Sequence, residues 1–541
     1  MFKALRTWWV RRLLARLHTP RDAARFAFRR YGDRIALIEG ARRVSYAELG
    51  RRVFRIAHAW RAQGLRPGAG VAVQLPDGVH QIEARLAAAE CGATLTLLPS
   101  WLAVLEVAQC LRLVEPAIFV CAGGDTALAN ELRRQLPGIK QRTLGDGHES
   151  WFAGYTAIPS PDAIDPATTA SLGFTSGTTG SPKVLGATHA AYLTSLRLIV
   201  ENVGIAPANA APDTMLVGIP LTGAGSGVVL PTLLAGGALV IPPRLDAQTL
   251  LELIARDCVT RLFITPSLLI DMLDHPSLER TELVTLRNII YGTEMMPAAK
   301  LEEALRRFGP ILQQGYGSAE VLPPVTLLQP HQHMQGGQDG DQIAPRAVLM
   351  SSGYVVRGVS LRMLDDTGRD CPCGEPGEVL VRSPTLFDGY LGRPELSAAA
   401  LRDGYLHTGD IGVLGADGRL TLLGRRADVL RRGERVIYPR LVEEVLHDHP
   451  AIKEACFVQR GPQAVMAFSL RRAWRETQPH TCWSEALARH LAASVPSWQM
   501  PDDYVLLEEL PRSPLGKVLR RQVRELLQRQ LDAVAPQVMA A

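Results

Sequence analysis

Long apolar runs are missing from this chain of 541 residues, although 47% of its residues are hydrophobic. No stretch of about 18 uninterrupted apolar residues occurs, so the sequence predicts no transmembrane helix. The chain also has little excess charge, since 59 basic residues against 54 acidic ones leave a net charge of +5. This balance argues against a nucleic-acid binder and is compatible with small anionic ligands.

Cysteine is scarce, with eight scattered residues in the whole chain. Cys371 and Cys373 form the one close pair, and prolines and a glycine flank them in place of a C-x-x-C repeat. This usage predicts a reduced, cytoplasmic compartment and no structural zinc. Internal repeats and low-complexity tracts are absent as well.

The leading segment, residues 1–20, has basic side chains and no acidic ones. Trp8 and Trp9 stand among its cations, and a basic helix with aromatic residues can lie on an anionic membrane surface. The charges, however, fall around much of the helix at 100° steps. The pattern therefore favours a solvated or domain-packed helix over peripheral membrane contact, and its apolar stretches are too short for a secretory signal.

From residue 36 onward, short apolar strands alternate with helical segments. Val71–Leu75 and Ile118–Cys121 are predicted strands, whereas Tyr46–Gln63 and Val79–Cys91 are predicted helices. This alternation is typical of parallel sheets covered by helices. It predicts an α/β fold with a large N-terminal domain of mixed and parallel sheets.

The pattern changes after about residue 340 to short strands separated by turns, which indicates a β-rich subdomain at 340–423. Gly424-Arg425-Arg426 then opens a last segment with a helix at Pro439–His447 and a basic helix at Leu519–Leu531. We therefore predict a large domain over residues 21–423 and a small, mobile α+β domain over residues 424–541.

One loop, residues 175–183, reads Thr-Ser-Gly-Thr-Thr-Gly-Ser-Pro-Lys. Its glycines let backbone N–H groups turn toward an anion, and its hydroxyls can donate to phosphate oxygens. The spacing G-x-x-x-x-G-K-[ST] of a Walker loop is missing. The composition suits a bound polyphosphate, and it also fits an ordinary surface loop.

Two carboxylates follow glycine-containing turns. Tyr316 lies between two glycines where it could stack on a base, and Glu320 follows either as the first residue of a helix or as a ligand of Mg²⁺. Asp410 closes a strand-turn unit, where it would either accept ribose hydroxyls or cap the turn. Lys517, between a turn and a helix start, indicates little when taken alone.

Taken in order, these stretches resemble the acyl-adenylate-forming superfamily of acyl- and aryl-CoA synthetases, carrier-loading adenylation domains and beetle luciferases. The resemblance covers Tyr31 to Leu531 and includes Gly424–Pro439 and Pro511–Arg520. It implies that a carboxylate attacks the α-phosphate of ATP, giving acyl-AMP and pyrophosphate, and that a thiol then displaces AMP. It also implies that the small C-terminal domain rotates between the two steps.

The resemblance further implies roles for individual residues. Lys517 would bridge the carboxylate and the α-phosphate, and Glu320 would hold Mg²⁺. The β- and γ-phosphates would be bound by Thr175, Ser176, Gly177, Thr178, Thr179, Gly180 and Lys183. The adenosine would be bound by Thr293, Glu294, Met295, Tyr316, Gly317, Asp410, Arg425 and Arg435. The acyl pocket would include Thr222, Gly223, Ala224 and Gly292.

Three positions depart from the family pattern. Ala319 stands where threonine commonly precedes the metal-binding glutamate, and the lost hydrogen bond would weaken nucleotide binding by about 0.5–1.5 kcal/mol. Ala427 occupies a hinge position that is usually Asp or Lys. Residues 222–227 are small where relatives place an aromatic and a histidine, so they either leave room for a bulky acyl or aryl group or serve tight packing.

The segment Ile437–Glu443 looks more like acyl-CoA synthetases than like peptide-synthetase adenylation domains, and no carrier domain is attached. We therefore expect an ATP-dependent acid–thiol ligase that uses CoA. One alternative passes the acyl group of the small-molecule acid to the phosphopantetheine of a separate acyl carrier protein, an acidic partner for the basic termini. Another alternative is a non-catalytic nucleotide-binding relative.

Overall fold

The computed structural model describes residues 10–122, 126–136, 140–144, 150–175, 183–205, 212–336, 342–477, 482–513 and 516–538. Strands and helices alternate along the first half of this part of the chain, so the predicted α/β class is confirmed. The helices span Pro20–Tyr31, Tyr46–Ala62, Val79–Cys91, Val104–Val114, Thr126–Gln135, Ser150–Ala153, His189–Asn202, Val229–Leu234, Ala247–Arg256, Pro266–Leu273, Ala298–Phe308, Arg346–Leu349, Pro394–Ala400, Pro439–Leu446, Arg472–Thr477, Trp483–Ala492 and Arg520–Val538.

Within the described residues the strands build two large sheets and four smaller groups. Those of the first half are β1 (Ile35–Glu39), β2 (Arg42–Ser45), β3 (Gly70–Gln74), β4 (Thr94–Leu97), β5 (Ile118–Ala122), β6 (Lys140–Leu144), β7 (Thr169–Thr175), β8 (Lys183–Thr188), β9 (Thr214–Gly218), β10 (Ala238–Ile241), β11 (Arg261–Ile264) and β12 (Asn288–Gly292). Those that follow are β13 (Leu312–Ser318), β14 (Val321–Leu328), β15 (Met334–Gln335), β16 (Gln342–Ile343), β17 (Tyr354–Val355), β18 (Ser360–Leu364), β19 (Pro376–Arg382), β20 (Leu401–Arg402), β21 (Tyr405–Leu414), β22 (Leu420–Arg425), β23 (Leu430–Arg432), β24 (Arg435–Ile437), β25 (Ile452–Arg460), β26 (Gln463–Leu470) and β27 (Asp503–Leu506).

The first large sheet has the order β17-β14-β13-β12-β11-β9-β10-β1-β2. Its strands β9, β11, β12 and β13 pair in parallel, with Gly218 beside Ile264, Ile264 beside Tyr291, and Gly292 beside Gly315. The carboxyl ends of these strands therefore meet at one edge, where ligands of open α/β sheets bind. Many of the predicted site residues follow these strand ends.

The second large sheet has the order β6-β5-β3-β4-β7-β8 and is parallel except for its last pair. β7 and β8 run antiparallel, and Thr175 lies opposite Lys183. The predicted phosphate loop is thus the connection between two paired strands. Its residues Ser176, Gly177, Thr178, Thr179 and Gly180 lie outside the described residues.

Helices fill the space between the two large sheets. The helix His189–Asn202 contacts β7 and β8 of one sheet and β14 of the other. Residues 10–15 are helical too, and Val10, Leu14 and Leu17 are buried against that helix. The described part of the leading segment is therefore domain-packed, and among the described residues no helix has the length and apolarity needed to cross a membrane.

The C-terminal third is built from smaller units that are antiparallel except for the parallel pair β26 and β27. Strands β18 to β22 form a five-stranded sheet, which agrees with the predicted β-rich subdomain. β23 and β24 form a hairpin, and β25, β26 and β27 form a three-stranded sheet with its own apolar core against the helix Trp483–Ala492. The predicted domain boundaries at residues 21 and 424 remain predictions.

Candidate active site

The side chains of Tyr316, Asp410 and Arg425 meet although they come from three strands of two sheets. The phenol of Tyr316 donates to one carboxylate oxygen of Asp410 over 2.6 Å, and Nε of Arg425 lies 2.9 Å from the other oxygen. Burial raises the pKa of Asp410, and the Arg425 cation opposes that shift. Each carboxylate oxygen has a second lone pair, so Asp410 can still accept hydrogen bonds from hydroxyl groups.

Glu320 lies in a hairpin turn, because Ser318 of β13 pairs with Val321 of β14. The interpretation of Glu320 as the first residue of a helix is therefore wrong. The phenol of Tyr390 donates to Oε1 of Glu320 over 3.0 Å, and Nζ of Lys183 lies 5.1 Å from the centre of the same ring. Tyr390 thus connects the metal-ligand candidate to the cation of the phosphate loop.

Tyr390 was missed as a functional residue by the sequence analysis. Its position is fixed by backbone pairing with Leu185 in β8 and by an edge-to-face contact with Phe387, whose ring centre is 4.9 Å away. The backbone N–H of Phe387 donates to the carbonyl of Glu320 over 2.8 Å. In the sequence, only the pair Gly389-Tyr390 marks this position. This pair indicates a turn and does not indicate a chemical role for the tyrosine.

Magnesium fits this arrangement. No cluster of three His, Cys, Asp or Glu side chains that could hold a metal exists among the described residues. Mg²⁺ is commonly bound by one or two carboxylates together with substrate phosphates and water, and Glu320 supplies one half-buried carboxylate of that kind. An all-protein metal cage is not needed for this ion.

The backbone carbonyl of Lys517 accepts a hydrogen bond from the N–H of Ser513 over 2.8 Å, beside an antiparallel bridge between Arg512 and Val518. The lysine side chain is exposed overall, yet the protein around its ammonium group lowers its pKa. The cation of Arg425 lowers it further, whereas Glu294 and Asp410 oppose the shift. The ammonium group therefore lies near the cluster of Tyr316, Asp410 and Arg425.

Glu294 follows β12 at the same sheet edge, after Thr293, which has a positive φ of 73°. One oxygen of Glu294 accepts from the N–H of Ser267 over 2.9 Å, at the start of the helix Pro266–Leu273. Burial raises the pKa of Glu294, and the hydrogen bonds from Ser267 and the cations of Arg512 and Lys517 oppose that shift. Glu294 therefore holds two structural elements together beside the lysine.

The C-terminal segment is held against the large domain by polar contacts. Nζ of Lys300 donates to the carbonyl of Ile452 over 2.7 Å, and Lys453 pairs with Asp271 at 2.8 Å. Arg471 pairs with Asp274 at 3.3 Å and also with Glu303. A Cβ on Gly516, next to Lys517, would likewise lie 3.5 Å from Oγ1 of Thr265, so the Lys517 segment also packs on the large domain.

Two comparisons with known proteins bear on this geometry. Residues 24–391 match the model of the AMP-binding enzyme, and residues 441–517 match the model of the AMP-binding enzyme C-terminal domain. The chain belongs to the AMP-binding enzyme family. The predicted resemblance is thereby confirmed, as is the fold of a large N-terminal and a smaller C-terminal domain.

Several relatives in this family span nearly the whole chain. The fatty acid–[acyl-carrier-protein] ligase ScoC of Streptomyces coeruleorubidus is 29% identical over 504 residues, which cover 90% of this chain and 92% of the relative. Indoleacetate–CoA ligase of Aromatoleum aromaticum is 28% identical over 501 residues, which cover 90% and 94%. The structure of the amide bond synthetase McbA from Marinactinospora thermotolerans matches with a TM-score of 0.80 at 26% identity, over 94% of this chain and 99% of that one.

Within this family member, one predicted pocket glycine, Gly292, and one predicted adenosine-binding glycine, Gly317, have structural reasons. A Cβ atom on Gly292 would lie 2.4 Å from the carbonyl oxygen of Gly315, so this glycine permits close strand approach. A Cβ atom on Gly317 would lie 2.7 Å from Cβ of Pro323. Met295 packs against the apolar core.

The small residues 222–227 include one glycine that packing requires and one beside open space, and their place in an acyl pocket stays a prediction. Thr222, Gly223 and Ala224 lie in the turn after β9, at the same sheet edge as Tyr316. A Cβ on Gly225 would lie 2.4 Å from the carbonyl oxygen of Ile219, so this glycine is needed for packing. A Cβ on Gly227 would meet nothing within 4 Å, so this glycine borders open space.

Arg435, the first residue of β24, contacts an aromatic ring of the C-terminal segment. Its guanidinium group is 5.3 Å from the ring centre of Trp498 inside the C-terminal segment. Ala427 is exposed in the short 3-10 turn Arg426–Asp428, and Ala319 is exposed in the β13–β14 turn. Roles for these three residues in nucleotide binding and domain rotation stay predictions.

Proposed function

We propose that this family member activates an acyl or aryl carboxylic acid with ATP and transfers the acyl group to the thiol of CoA. One observation carries the proposal: Tyr316, Asp410 and Arg425 from distant segments meet at 2.6 and 2.9 Å, and the charges of Asp410 and Arg425 also act on Lys517. The proposed reaction brings a carboxylate toward the phosphates of ATP, and a cation beside the nucleotide-binding candidates would offset the repulsion between these two anions.

In the first step, a carboxylate oxygen of the acid attacks the α-phosphorus of ATP. A carboxyl–phosphate bond forms, the bond to the β-phosphate oxygen breaks, and pyrophosphate leaves with that electron pair. Lys517 stabilises the negative charge that builds up between the acid and the α-phosphate. Asp410 accepts hydroxyl groups of the ribose, and the ring of Tyr316 lies against the adenine.

Glu320 would hold Mg²⁺ together with phosphate oxygens, and bound Mg²⁺ offsets charge on the phosphates. Tyr390 orients the Glu320 carboxylate by its hydrogen bond of 3.0 Å. Lys183, above the Tyr390 ring, adds a second cation at the start of β8. The negative charges of the polyphosphate would thus be offset by Mg²⁺ at Glu320 and by the ammonium group of Lys183.

In the second step, the thiolate of CoA attacks the carbonyl carbon of acyl-AMP, a thioester forms, and AMP leaves. Lys517 is not needed for this step. We propose that the C-terminal segment that carries Lys517 rotates away from the nucleotide before the thiol attacks. A carrier-protein thiol is the alternative acceptor, favoured by the likeness to ScoC along 90% of the chain.

The proposal is tested by acid-dependent exchange of pyrophosphate into ATP across a panel of aliphatic and aromatic acids. Exchange with at least one acid supports adenylation, whereas no exchange with any acid contradicts it and favours a non-catalytic nucleotide-binding relative. CoA, a phosphopantetheinylated carrier and a simple amine are then offered as acceptors. Transfer to the carrier or the amine without transfer to CoA would reject the CoA assignment.

A further inference from the structure

The backbone around Lys517 is fixed to that of Arg512. Arg512 and Val518 form an antiparallel bridge, and the N–H of Ser513 donates to the carbonyl of Lys517 over 2.8 Å. The N–H of Gly516 donates to the carbonyl of Ser513, also over 2.8 Å. Residues 516–518, which we call the Lys517 segment, therefore keep a fixed place beside Arg512.

The guanidinium group of Arg512 adds side-chain contacts to this arrangement. Its Nη1 donates to the carbonyl of Gly516 over 3.4 Å, and its Nη2 lies 2.8 Å from Oε1 of Glu454 in β25. Burial raises the pKa of Glu454, and the cation of Arg512 opposes that shift. Arg512 thus ties the Lys517 segment to the three-stranded sheet of the C-terminal segment.

Arg512 also reaches the large domain. Its Nη1 lies 3.8 Å from Oδ2 of Asp271, on the helix Pro266–Leu273. Nζ of Lys453 lies 2.8 Å from the other oxygen of the same carboxylate. The side chains of Arg512 and Asp271 are 21% and 30% exposed, so water and salt screen their attraction only in part. Asp271 is therefore an anchor on the large domain for two cations of the C-terminal segment.

The same helix meets the Lys517 segment at its amino end. Thr265 is the N-cap of the helix, and a Cβ on Gly516 would lie 3.5 Å from its Oγ1. The carboxylate of Glu294, whose charge acts on Lys517, binds a backbone N–H in the first turn of this helix. A helix rises about 1.5 Å per residue, so about 9 Å separate Thr265 from Asp271. Contacts at two separated points define the orientation of the Lys517 segment as well as its distance.

A movement of the C-terminal segment would affect these contacts differently. Arg512, Glu454 and Gly516 all belong to that segment, so their mutual contacts would travel with it. Asp271 and Thr265 belong to the large domain, so a rotation would break the contacts that they make across the junction. The contact between Arg512 and Asp271 thus exists in one orientation of the two parts and not in a rotated one.

We propose that Arg512 and Asp271 are positioning residues for Lys517: they hold the lysine against the large domain during adenylation and separate before the thiol step. This inference rests on the proposed function and adds the residues that aim its lysine. A contact made in only one orientation stabilises only that orientation, so its loss should affect one half-reaction and spare the other.

Arg512→Met keeps most of the length of the side chain and removes its charge and its donors. We expect kcat for acid-dependent pyrophosphate exchange to fall by about 10- to 100-fold, because a small displacement of a catalytic group has effects of that size. The KM for ATP should change little, since the contacts among Tyr316, Asp410 and Arg425 stay in place. Thiolysis of preformed acyl-AMP, with the acceptor that wild-type protein uses, should be unchanged.

Two further variants distinguish positioning from a general loss of stability. Arg512→Lys keeps a cation but lacks the planar fork that meets Asp271 and Glu454 together, so it should restore part of the exchange rate. Asp271→Asn keeps the shape of the side chain and removes its charge, so exchange should fall by about twofold to fivefold, the range of a partly exposed ion pair. The double variant should lose little beyond Arg512→Met alone, because both changes break the same contact.

Arg460→Met is the matched control. Nη2 of Arg460 lies 2.9 Å from Oδ2 of Asp503, and the arginine side chain is 8% exposed. This pair lies within the same three-stranded sheet and joins two residues of the C-terminal segment. Its loss should leave the ratio of the two half-reactions as it is in wild-type protein.

The outcomes separate this inference from the proposed function. An equal loss of both half-reactions in Arg512→Met, or wild-type exchange in both Arg512→Met and Asp271→Asn, would overturn the positioning assignment while adenylation stands. No exchange by wild-type protein with any acid would overturn adenylation, on which the assignment rests. Melting temperatures show which losses reflect folding, and if Arg512→Met does not fold, the ratio of half-reactions in Asp271→Asn decides the assignment.

Discussion

The phenol of Tyr390 donates to Glu320 while its ring lies under the ammonium group of Lys183. One side chain from the β-rich part of the chain thus touches both the metal-ligand candidate and the phosphate-side cation. Burial raises the pKa of Tyr390, and the neighbouring Glu320 charge adds to that shift, so the phenol remains protonated and able to donate.

Tyr390→Phe removes this hydrogen bond and keeps the ring under Lys183. Because a hydrogen bond to a charged group contributes about 1.5–3 kcal/mol, we expect the Mg²⁺ concentration for half-maximal pyrophosphate exchange to rise by about tenfold. Tyr405→Phe is the control, since its ring lies near Arg362 and Arg382. Equal Mg²⁺ dependence in wild-type protein and Tyr390→Phe would contradict a positioning role.

Lys517→Ala should separate the two half-reactions. Removal of a preorganised cation typically costs about 3–4 kcal/mol, so adenylation should fall by at least about 100-fold while thiolysis of preformed acyl-AMP is spared. Arg521→Ala removes an exposed cation nearby that pairs with Glu525 on the same helix and should affect neither step. A parallel loss of both half-reactions in Lys517→Ala would argue against a domain rotation that withdraws the lysine.

Asp410→Asn should weaken ATP binding, because it removes the negative charge that accepts hydroxyl groups and pairs with Arg425. We expect the KM for ATP to rise by about tenfold or more with a smaller change in kcat. Tyr316→Phe leaves the aromatic ring in place and removes only the 2.6 Å hydrogen bond, so its effect should be smaller. A larger effect of Tyr316→Phe than of Asp410→Asn would reverse this assignment.

Lys300 should make stability depend on pH. Burial and the charge of Arg471 together lower its pKa to about 8, while Glu303 and Asp274 oppose the shift. The unfolded chain binds more protons than the folded one between pH 8 and the ordinary lysine pKa of about 10.4, so stability should rise by about 1–3 kcal/mol across that window. Below pH 8, Lys300 is protonated in both the folded and the unfolded chain, so the free-energy cost of burying its charge is constant there.

The measurement compares chemical unfolding of wild-type protein with that of Lys300→Met, which keeps the length of the side chain and removes the titration. The difference between the two free energies of unfolding should change with pH in this window and be flat below it. A constant difference up to pH 10 would contradict the expected titration of Lys300.

Gly292→Ala should destabilise the sheet edge. The added methyl would lie 2.4 Å from the carbonyl oxygen of Gly315, in backbone that cannot move without breaking strand pairing. Overpacking of this kind costs about 1–3 kcal/mol, which thermal unfolding would detect. Gly227→Ala, in open space, is the control, and an equal effect of the two changes would refute the packing argument.

The α/β class, the order of the motifs and the family could be predicted from the sequence, because periodicity and glycine turns are local signals. The helix Val79–Cys91 has the bounds that the pattern predicts, and the helix predicted at Tyr46–Gln63 ends one residue earlier, at Ala62. Local patterns also placed Asp410, Glu320 and Lys517 among the candidate residues.

The contacts that these residues make depend on the tertiary structure. The place of Glu320 in a hairpin depends on pairing between β13 and β14, and the contact of Tyr390 depends on a bridge to β8, more than 200 positions earlier in the chain. Such distant contacts leave no trace in local periodicity, since they depend on which surfaces of separate elements meet.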